Sequence, residues 1–220
     1  MNSGSVGIMV GGSTIADNEQ FSSFIKKIKN VCSLPVILFP NNLNGISKEA
    51  DAIWFMSLLN SRNPYYITGA QMLGAPIIKK YNLETLSMAY LIIGEGGTAK
   101  FIGDANPIPN NKPELAVSYA LAASYLGMKY LYLEAGSGVN DHVALDIISS
   151  VKKYVPQTTL IVGGGIRNGE TAFDIIKNGA DIVVTGSLLE NPQQRLKNLT
   201  NIINGVKKAG SLRRSKSSVI

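Results

Sequence analysis

Seven short apolar runs alternate along the chain with stretches of helical periodicity, and this alternation constrains the fold more than any other feature. The runs cover residues 6–10, 36–39, 52–56, 89–93, 130–133, 159–162 and 181–184. They are rich in Val, Ile and Leu without a polar residue at every second place, as expected of parallel strands covered on both faces. Between them Phe21, Phe24, Ile25 and Ile28 recur at helical spacing, as do Leu196, Leu199, Ile203 and Val206. Strands alternating with helices specify βαβ units and a parallel sheet. The punctuation agrees. Pro113 suits the first turn of a helix carrying Leu115, Tyr119 and Leu126, Asp141 and Asn191-Pro192 suit helix starts, and Gly179 suits a helix end. Between Phe39 and Ala52 there is no room for a long helix, so a loop or single turn is expected there.

The pattern predicts a TIM-type (βα)8 barrel with one strand-to-strand connection lacking its helix. Such barrels typically have about 250 residues and eight strands, against 220 residues and seven runs here. The first βα unit is therefore expected to be missing, lying about 30 residues upstream of Met1, the length of one such unit. Residues 1–208 read as one phosphate-binding barrel domain and 209–220 as a basic, flexible tail. That tail contains Arg213, Arg214 and Lys216 and no acidic residue, so it holds half of the net charge of +6. A solvated terminus is the simpler account, with transient contact to a membrane surface as the alternative; nucleic acid as a partner is discounted. A single cysteine, Cys32, excludes a disulfide framework or a thiolate metal cluster within one chain. No leader or anchor is visible, which makes the cytoplasm the expected location.

Glycine follows nearly every apolar run where a barrel keeps its chemistry, at the C-terminal strand ends. The segments are Gly11-Gly12-Ser13-Thr14, Gly94-Glu95-Gly96-Gly97-Thr98, Glu134-Ala135-Gly136-Ser137-Gly138, Gly163-Gly164-Gly165-Ile166-Arg167 and Gly186-Ser187. Without a Cβ, successive N–H groups can converge on an anionic oxygen. The last two loops, with Gly164, Gly165, Gly186 and Ser187, occupy the position where such barrels commonly bind phosphate. Glu134 is the acidic residue of the fifth loop. It reads equally well as a general base for a bound hydroxyl or as a hydrogen-bonding group only. Ser13 offers an oxygen to a hard cation, but no carboxylate stands beside it as a partner. His142 reads as a surface residue and Trp54 as packing.

The longer motifs carry a resemblance. MVGGST, the segment FIGDANPIPNNKPELAVSYALAASYLGMKYLYLEAGSG, IVGGGIR and ADIVVTGS, in this order, are similar to geranylgeranylglyceryl phosphate synthases from about residue 7 to residue 208. The resemblance implies an archaeal ether-lipid enzyme that uses Mg2+. It would move a geranylgeranyl group from geranylgeranyl diphosphate to the sn-3 hydroxyl of sn-glycerol 1-phosphate, releasing diphosphate. Carried over residue by residue, Tyr132, Leu133, Glu134, Ala135, Gly136, Ser137 and Gly138 would surround the glycerol phosphate. Gly164, Gly165, Gly186 and Ser187 would hold its phosphate, Glu134 would orient or deprotonate the hydroxyl, and Ser13 would bind Mg2+. The family's first strand brings a metal-binding Asp that nothing in this sequence matches. Lys112 would support its loop or meet the diphosphate, and Trp54, Phe55, Tyr65, Tyr66 and Tyr90 could line a prenyl groove. A homo-oligomer is the expected assembly. Two alternatives stand beside this: a phosphosugar isomerase or lyase on the same scaffold, and a non-catalytic phosphate- or lipid-binding subunit.

Overall fold

A computed structural model describes residues 4–11, 17–189 and 192–217. Its strands are β1 (Ile8–Gly11), β2 (Val36–Phe39), β3 (Ala52–Leu58), β4 (Glu84–Ile92), β5 (Tyr130–Glu134), β6 (Thr159–Gly163) and β7 (Ile182–Val184). All seven lie parallel in one sheet in chain order, so every connection joins neighbouring strands. The helices are α1 (Asn18–Val31), α2 (Ala70–Tyr81), α3 (Gly97–Ile102), α4 (Pro113–Tyr125), α5 (Leu145–Tyr154), α6 (Gly169–Lys177) and α7 (Arg195–Ser217). The TIM-type βα pattern of the sequence is thus present. The β2–β3 connection contains only a 3-10 turn, Leu43–Gly45.

Strand alternation divides the core in two. Ala89, Leu91 and Ile93 of the β4 segment pack with α4 to α7, while Met88, Tyr90 and Ile92 point to the other face with Trp54, Tyr132 and Ile161. A further cluster unites Val10, Phe21, Ile25, Leu38, Ile53 and Ile78 under α1 and α2. Each such side chain contributes about 1.5–3 kcal/mol when fully buried.

The sheet is weakest between β2 and β3, which share only the register pairs Ile37–Ala52 and Leu38–Ile53. In contrast, β3 and β4 stay paired from Ala52–Glu84 to Leu58–Tyr90. Beyond Ile53, β3 therefore runs on without β2, and Gln71 of α2 takes the place of a strand partner by donating from Nε2 to the Met56 carbonyl at 2.5 Å. This parting of two strands opens the side of the sheet.

Several local expectations change. The inner face of α4 is Ala116, Val117, Ala120 and Ala123, whereas Leu115 and Leu126 are exposed. Small residues bring that helix close to the sheet. Leu196 and Phe24 also face solvent, while on α7 the expected Ile203 is buried, together with Ile202. Ala144, not Asp141, precedes α5 as its cap residue. Pro113 does open α4, and Gly179 follows α6 with φ 120°. Asn191 lies outside the described residues, and α7 begins after Pro192, at Arg195.

The expected boundary at residue 208 falls within α7, which continues to Ser217. Ala209 is buried, and Arg213 donates to the Ala180 carbonyl at 2.7 Å and approaches Asp181 at 3.4 Å. Asp181 also pairs with Lys152 at 2.8 Å and accepts from the Leu160 N–H. A flexible tail from 209 is therefore replaced by a helix clasped to the start of β7.

Helices α6 and α7 cross at Gly169 and Gly205. A Cβ on Gly205 would land on the Gly169 carbonyl oxygen, and one on Gly169 would lie 2.6 Å from the Asn201 Oδ1. Gly205→Ala should therefore destabilise the fold by about 1–3 kcal/mol through overpacking, despite alanine's better helix propensity. Thermal unfolding should show a melting temperature several degrees lower, at about 2–4 °C per kcal/mol for a chain of this size; an unchanged or higher value would contradict the crossing.

Candidate active site

Glu134 ends β5 and is the buried charged residue among those described. Such a carboxylate survives in the interior only if donors satisfy it. The Gly136 N–H donates to its Oε1 at 2.6 Å. The hydroxyls of Tyr132 and Tyr90 also hydrogen-bond to it. Burial pushes the Glu134 carboxyl above the usual carboxylate range, and the three hydrogen bonds pull against that rise. Burial and the neighbouring carboxylate push both tyrosines well above the usual phenol range, so they remain donors. The two rings meet edge-on at 5.3 Å, and Phe39 packs against both, at 5.5 and 5.7 Å.

The glycine loops are needed because of this crowding. A Cβ on Gly163 would fall on the Tyr132 hydroxyl. Gly164, with φ 85°, comes so close to the β5 loop that a Cβ would sit 2.6 Å from Gly136 N and 2.8 Å from the Glu134 Oε1. Gly165, with φ 68°, meets the backbone of Asp141 and His142 in the same way. Gly136 packs on Gly96 and Gly97, and the Gly96 N–H donates to the Ala135 carbonyl. Part of the glycine signal therefore reflects loop packing on loop. Gly186 and Ser187 differ: both are exposed, and a Cβ on Gly186 would have no neighbour within 4 Å among the described residues. Since Gly163 pairs with Val184, residues 164–165 and 186–187 leave neighbouring strands at the same level.

The expected site residues thus divide by face. Tyr132, Glu134 and Gly136 form the buried network, while Ser137 and Gly138 lie exposed beyond it. Leu133 and Ala135 point their side chains into the core under α4 to α6, so they can offer a ligand only backbone. Ser13 lies outside the described residues. Among those described, no group of three or more His, Cys, Asp or Glu could hold a metal ion. Lys112 is exposed and lies 3.7 Å from Glu114 at the start of α4. The His142 ring binds the neighbouring Val143 carbonyl at 2.7 Å.

On its other side Glu134 borders a cavity of about 600 Å3. The walls are largely apolar, with Phe39, Ile46, Trp54, Phe55, Tyr66 and Ile102 among them, and Glu134 and Ser137 at one end. The cavity lies where β2 and β3 part. Of the aromatic residues expected in such a groove, Trp54, Phe55, Tyr66 and Tyr90 line it. Tyr65 instead donates its hydroxyl to Asn42 Oδ1 at 2.6 Å, tying the π-helical turn Tyr65–Gly69 to the β2–β3 connection.

Two contributions are not apparent from the motifs alone. Arg167 donates to the Val139 carbonyl and Asn140 Oδ1, both at 3.0 Å, and so braces the loop after β5 from the loop after β6. On α2, Ala70, Gly74 and Ile78 line the cavity four residues apart. That spacing is visible in the sequence, but its meaning depends on knowing which side of the sheet is open.

The profile of the PcrB family matches residues 1–206. The geranylgeranylglyceryl phosphate synthase of Pyrococcus furiosus is 54% identical over 202 residues, covering 90% of this chain and 80% of that relative. The synthase of the same description from Methanosphaera stadtmanae is 52% identical over 199 residues, covering 89% of this chain and 81% of that relative. Among solved structures, the (S)-3-O-geranylgeranylglyceryl phosphate synthase of Thermoplasma acidophilum, in complex with its substrate sn-glycerol-1-phosphate, is 40% identical. It superposes with a TM-score of 0.90 over 94% of this chain and 83% of that one. A thiamine phosphate pyrophosphorylase from Pyrococcus furiosus, 14% identical over 94% of this chain and 86% of that one with a TM-score of 0.60, shares the fold alone. By profile, by identity over most of its length and by backbone, this chain belongs to the PcrB family.

Proposed function

We propose that this chain is a prenyltransferase that joins the geranylgeranyl group of geranylgeranyl diphosphate to the sn-3 hydroxyl of sn-glycerol 1-phosphate. One observation carries the reading: a buried carboxylate, Glu134, separates glycine loops suited to a phosphate from an apolar cavity suited to an isoprenoid. Similarity to the Thermoplasma acidophilum synthase, which binds sn-glycerol-1-phosphate, supports the acceptor.

In this reading Gly164, Gly165, Gly186 and Ser187 hold the acceptor's phosphate, and its sn-3 hydroxyl reaches Glu134. The hydroxyl oxygen bonds to C1 of the prenyl group as the bond from C1 to the diphosphate oxygen breaks, and Glu134 accepts the hydroxyl proton. Tyr90, Tyr132 and Gly136 hold the carboxylate in one orientation, which reserves it for a single acceptor position. Burial moves its pKa toward the range in which a general base is effective. A phosphosugar isomerase would need a second acid or base at another strand end, and no other Asp or Glu among those described is buried.

Mg2+ dependence belongs to this reading because a bound Mg2+ would neutralise charge on the leaving diphosphate. The same reading places the protein in the cytoplasm as a homo-oligomer, with transient contact to a membrane surface. No helix of the described residues is long and apolar enough to cross a membrane, and within the basic C-terminal stretch Arg213 is already committed to Ala180 and Asp181.

Incubation with both substrates and Mg2+ should yield geranylgeranylglyceryl phosphate and diphosphate, detected by mass spectrometry. Excess chelator should stop the reaction and added Mg2+ restore it; full turnover in chelator would remove the metal from the account. Glu134→Gln should lower kcat about 10²–10⁴-fold, the contribution expected of a general base, while sn-glycerol 1-phosphate still binds. Equal losses in kcat and affinity would make Glu134 a binding group only. The variant should not lose stability. The raised pKa means that the native state retains this proton to higher pH than the unfolded chain, so wild-type stability falls as pH rises through the carboxylate range. Glu134→Gln removes that cost, and its melting temperature should exceed wild type at neutral pH, with the gap closing in acid.

A further inference from the structure

Arg167 is an exposed cation that makes no ion pair among the described residues. Its side-chain hydrogen bonds all come from one nitrogen, Nη2, which donates to the Val139 carbonyl and Asn140 Oδ1 at 3.0 Å and to the Gly138 carbonyl at 3.4 Å. The root of this side chain is firm. Ile166 on one side is buried, and Asn168 on the other caps α6 by accepting from the Thr171 N–H at 2.9 Å. The segment it grips is not. Ser137, Gly138 and Asn140 are exposed, and Gly136 and Gly138 hold positive φ of 115° and 77°. Glycine gives up more conformational freedom on ordering than any other residue, so such a segment stays in place only if something holds it. Among the described residues, the only hydrogen bonds joining residues 137–141 to another part of the chain are those from Arg167.

What the grip protects lies two residues before Gly138. The Gly136 N–H donates to Glu134 Oε1 at 2.6 Å and is one of the donors that orient the carboxylate. The other two, Tyr90 and Tyr132, stand on β4 and β5 and are fixed by the sheet, whereas Gly136 belongs to the loop. Its position is therefore the one that depends on Arg167. Arg167 itself leaves the loop of Gly164 and Gly165, so the fixed point of the grip is the loop suited to the acceptor's phosphate. We propose that Arg167 is a positioning residue for Glu134: by gripping residues 138–140 it keeps the Gly136 N–H on the carboxylate and ties that alignment to the loop that receives the phosphate. The catalytic consequence rests on the prenyl-transfer reading; the grip does not.

Arg167→Met keeps the stem and removes the donors. With both substrates saturating, its kcat should fall about 10²-fold, the scale of a small misplacement at a reacting group, while the KM for geranylgeranyl diphosphate stays at the wild-type value. The acidic limb of its kcat profile should move up by about one pH unit, because a hydrogen bond to the charged carboxylate is lost and the base ionises only at higher pH. The titratable side chains against Glu134 are Tyr90 from β4 and Tyr132 from β5, and both stay protonated through this range, so a moved limb reports Gly136. Arg167→Lys, whose ammonium carries three N–H groups on one nitrogen, should recover most of the rate and the wild-type limb. Hydrogen exchange read by mass spectrometry tests the grip without catalysis. In Arg167→Met the amides of residues 136–140 should exchange at least about tenfold faster than in wild type, with β5 and α6 unchanged. Unchanged exchange at 136–140 overturns the inference, and so does a slower enzyme with an unmoved limb and no recovery by lysine. A wild type that transfers no prenyl group overturns the prenyl-transfer reading alone, and the exchange still decides whether Arg167 fixes Gly136.

Discussion

Much of the active-site architecture follows from holding one carboxylate inside the barrel mouth. Glu134 is buried and takes hydrogen bonds from the Gly136 N–H and from Tyr90 and Tyr132. Breaking such an arrangement leaves an uncompensated buried charge, which is among the costlier defects a core can have. The donors must therefore stay close, and closeness dictates sequence. Gly163 leaves room for the Tyr132 hydroxyl, and Gly164 lets the β6 loop approach Gly136 and Glu134. Gly96 and Gly97 press on Gly136 from the opposite side. A set of glycines that looks like one phosphate motif thus serves two ends, packing around the carboxylate and presenting backbone at the mouth.

The second organising feature is the parting of β2 from β3. Two register pairs join them, so the edge of β3 beyond Ile53 has to find other partners. Gln71 supplies one through the Met56 carbonyl, and the Tyr65–Asn42 hydrogen bond ties the π-helical turn before α2 to the β2–β3 connection. These substitutes keep the opening in shape without filling it. The resulting cavity runs from Glu134 to α2, so polar chemistry and apolar binding meet at one residue.

Much of this was legible in the sequence, for physical reasons. Runs buried on both faces read as strands, and the missing helix between Phe39 and Ala52 follows from length alone. The apolar pattern marks β4 only from Ala89, because its first residues, Glu84 and Thr85, are exposed and interrupt it. The buried face of α4 is hidden from the hydrophobic pattern because its contact surface is built largely from alanines, while Leu115 and Leu126 point outward. The C-terminal stretch looked like a solvated tail because it is basic, yet Arg213 is anchored through Ala180 and Asp181, partners distant in sequence. At the site, Glu134 and the glycines stood out by type and position. The roles of Tyr90 and Arg167 depend on which strands and loops adjoin, and no local pattern carries that information.

The central claim is that Glu134 and the glycine loops after β5 and β6 form one binding site for a phosphorylated acceptor. Titration calorimetry of sn-glycerol 1-phosphate into wild type and Gly164→Ala tests it most directly. The account predicts one site per chain in wild type. It predicts at least about tenfold weaker binding in the variant, a loss of about 1.4 kcal/mol, because the added methyl group displaces Gly136 and Glu134. Equal affinity in the two proteins, with both cooperatively folded, would contradict it.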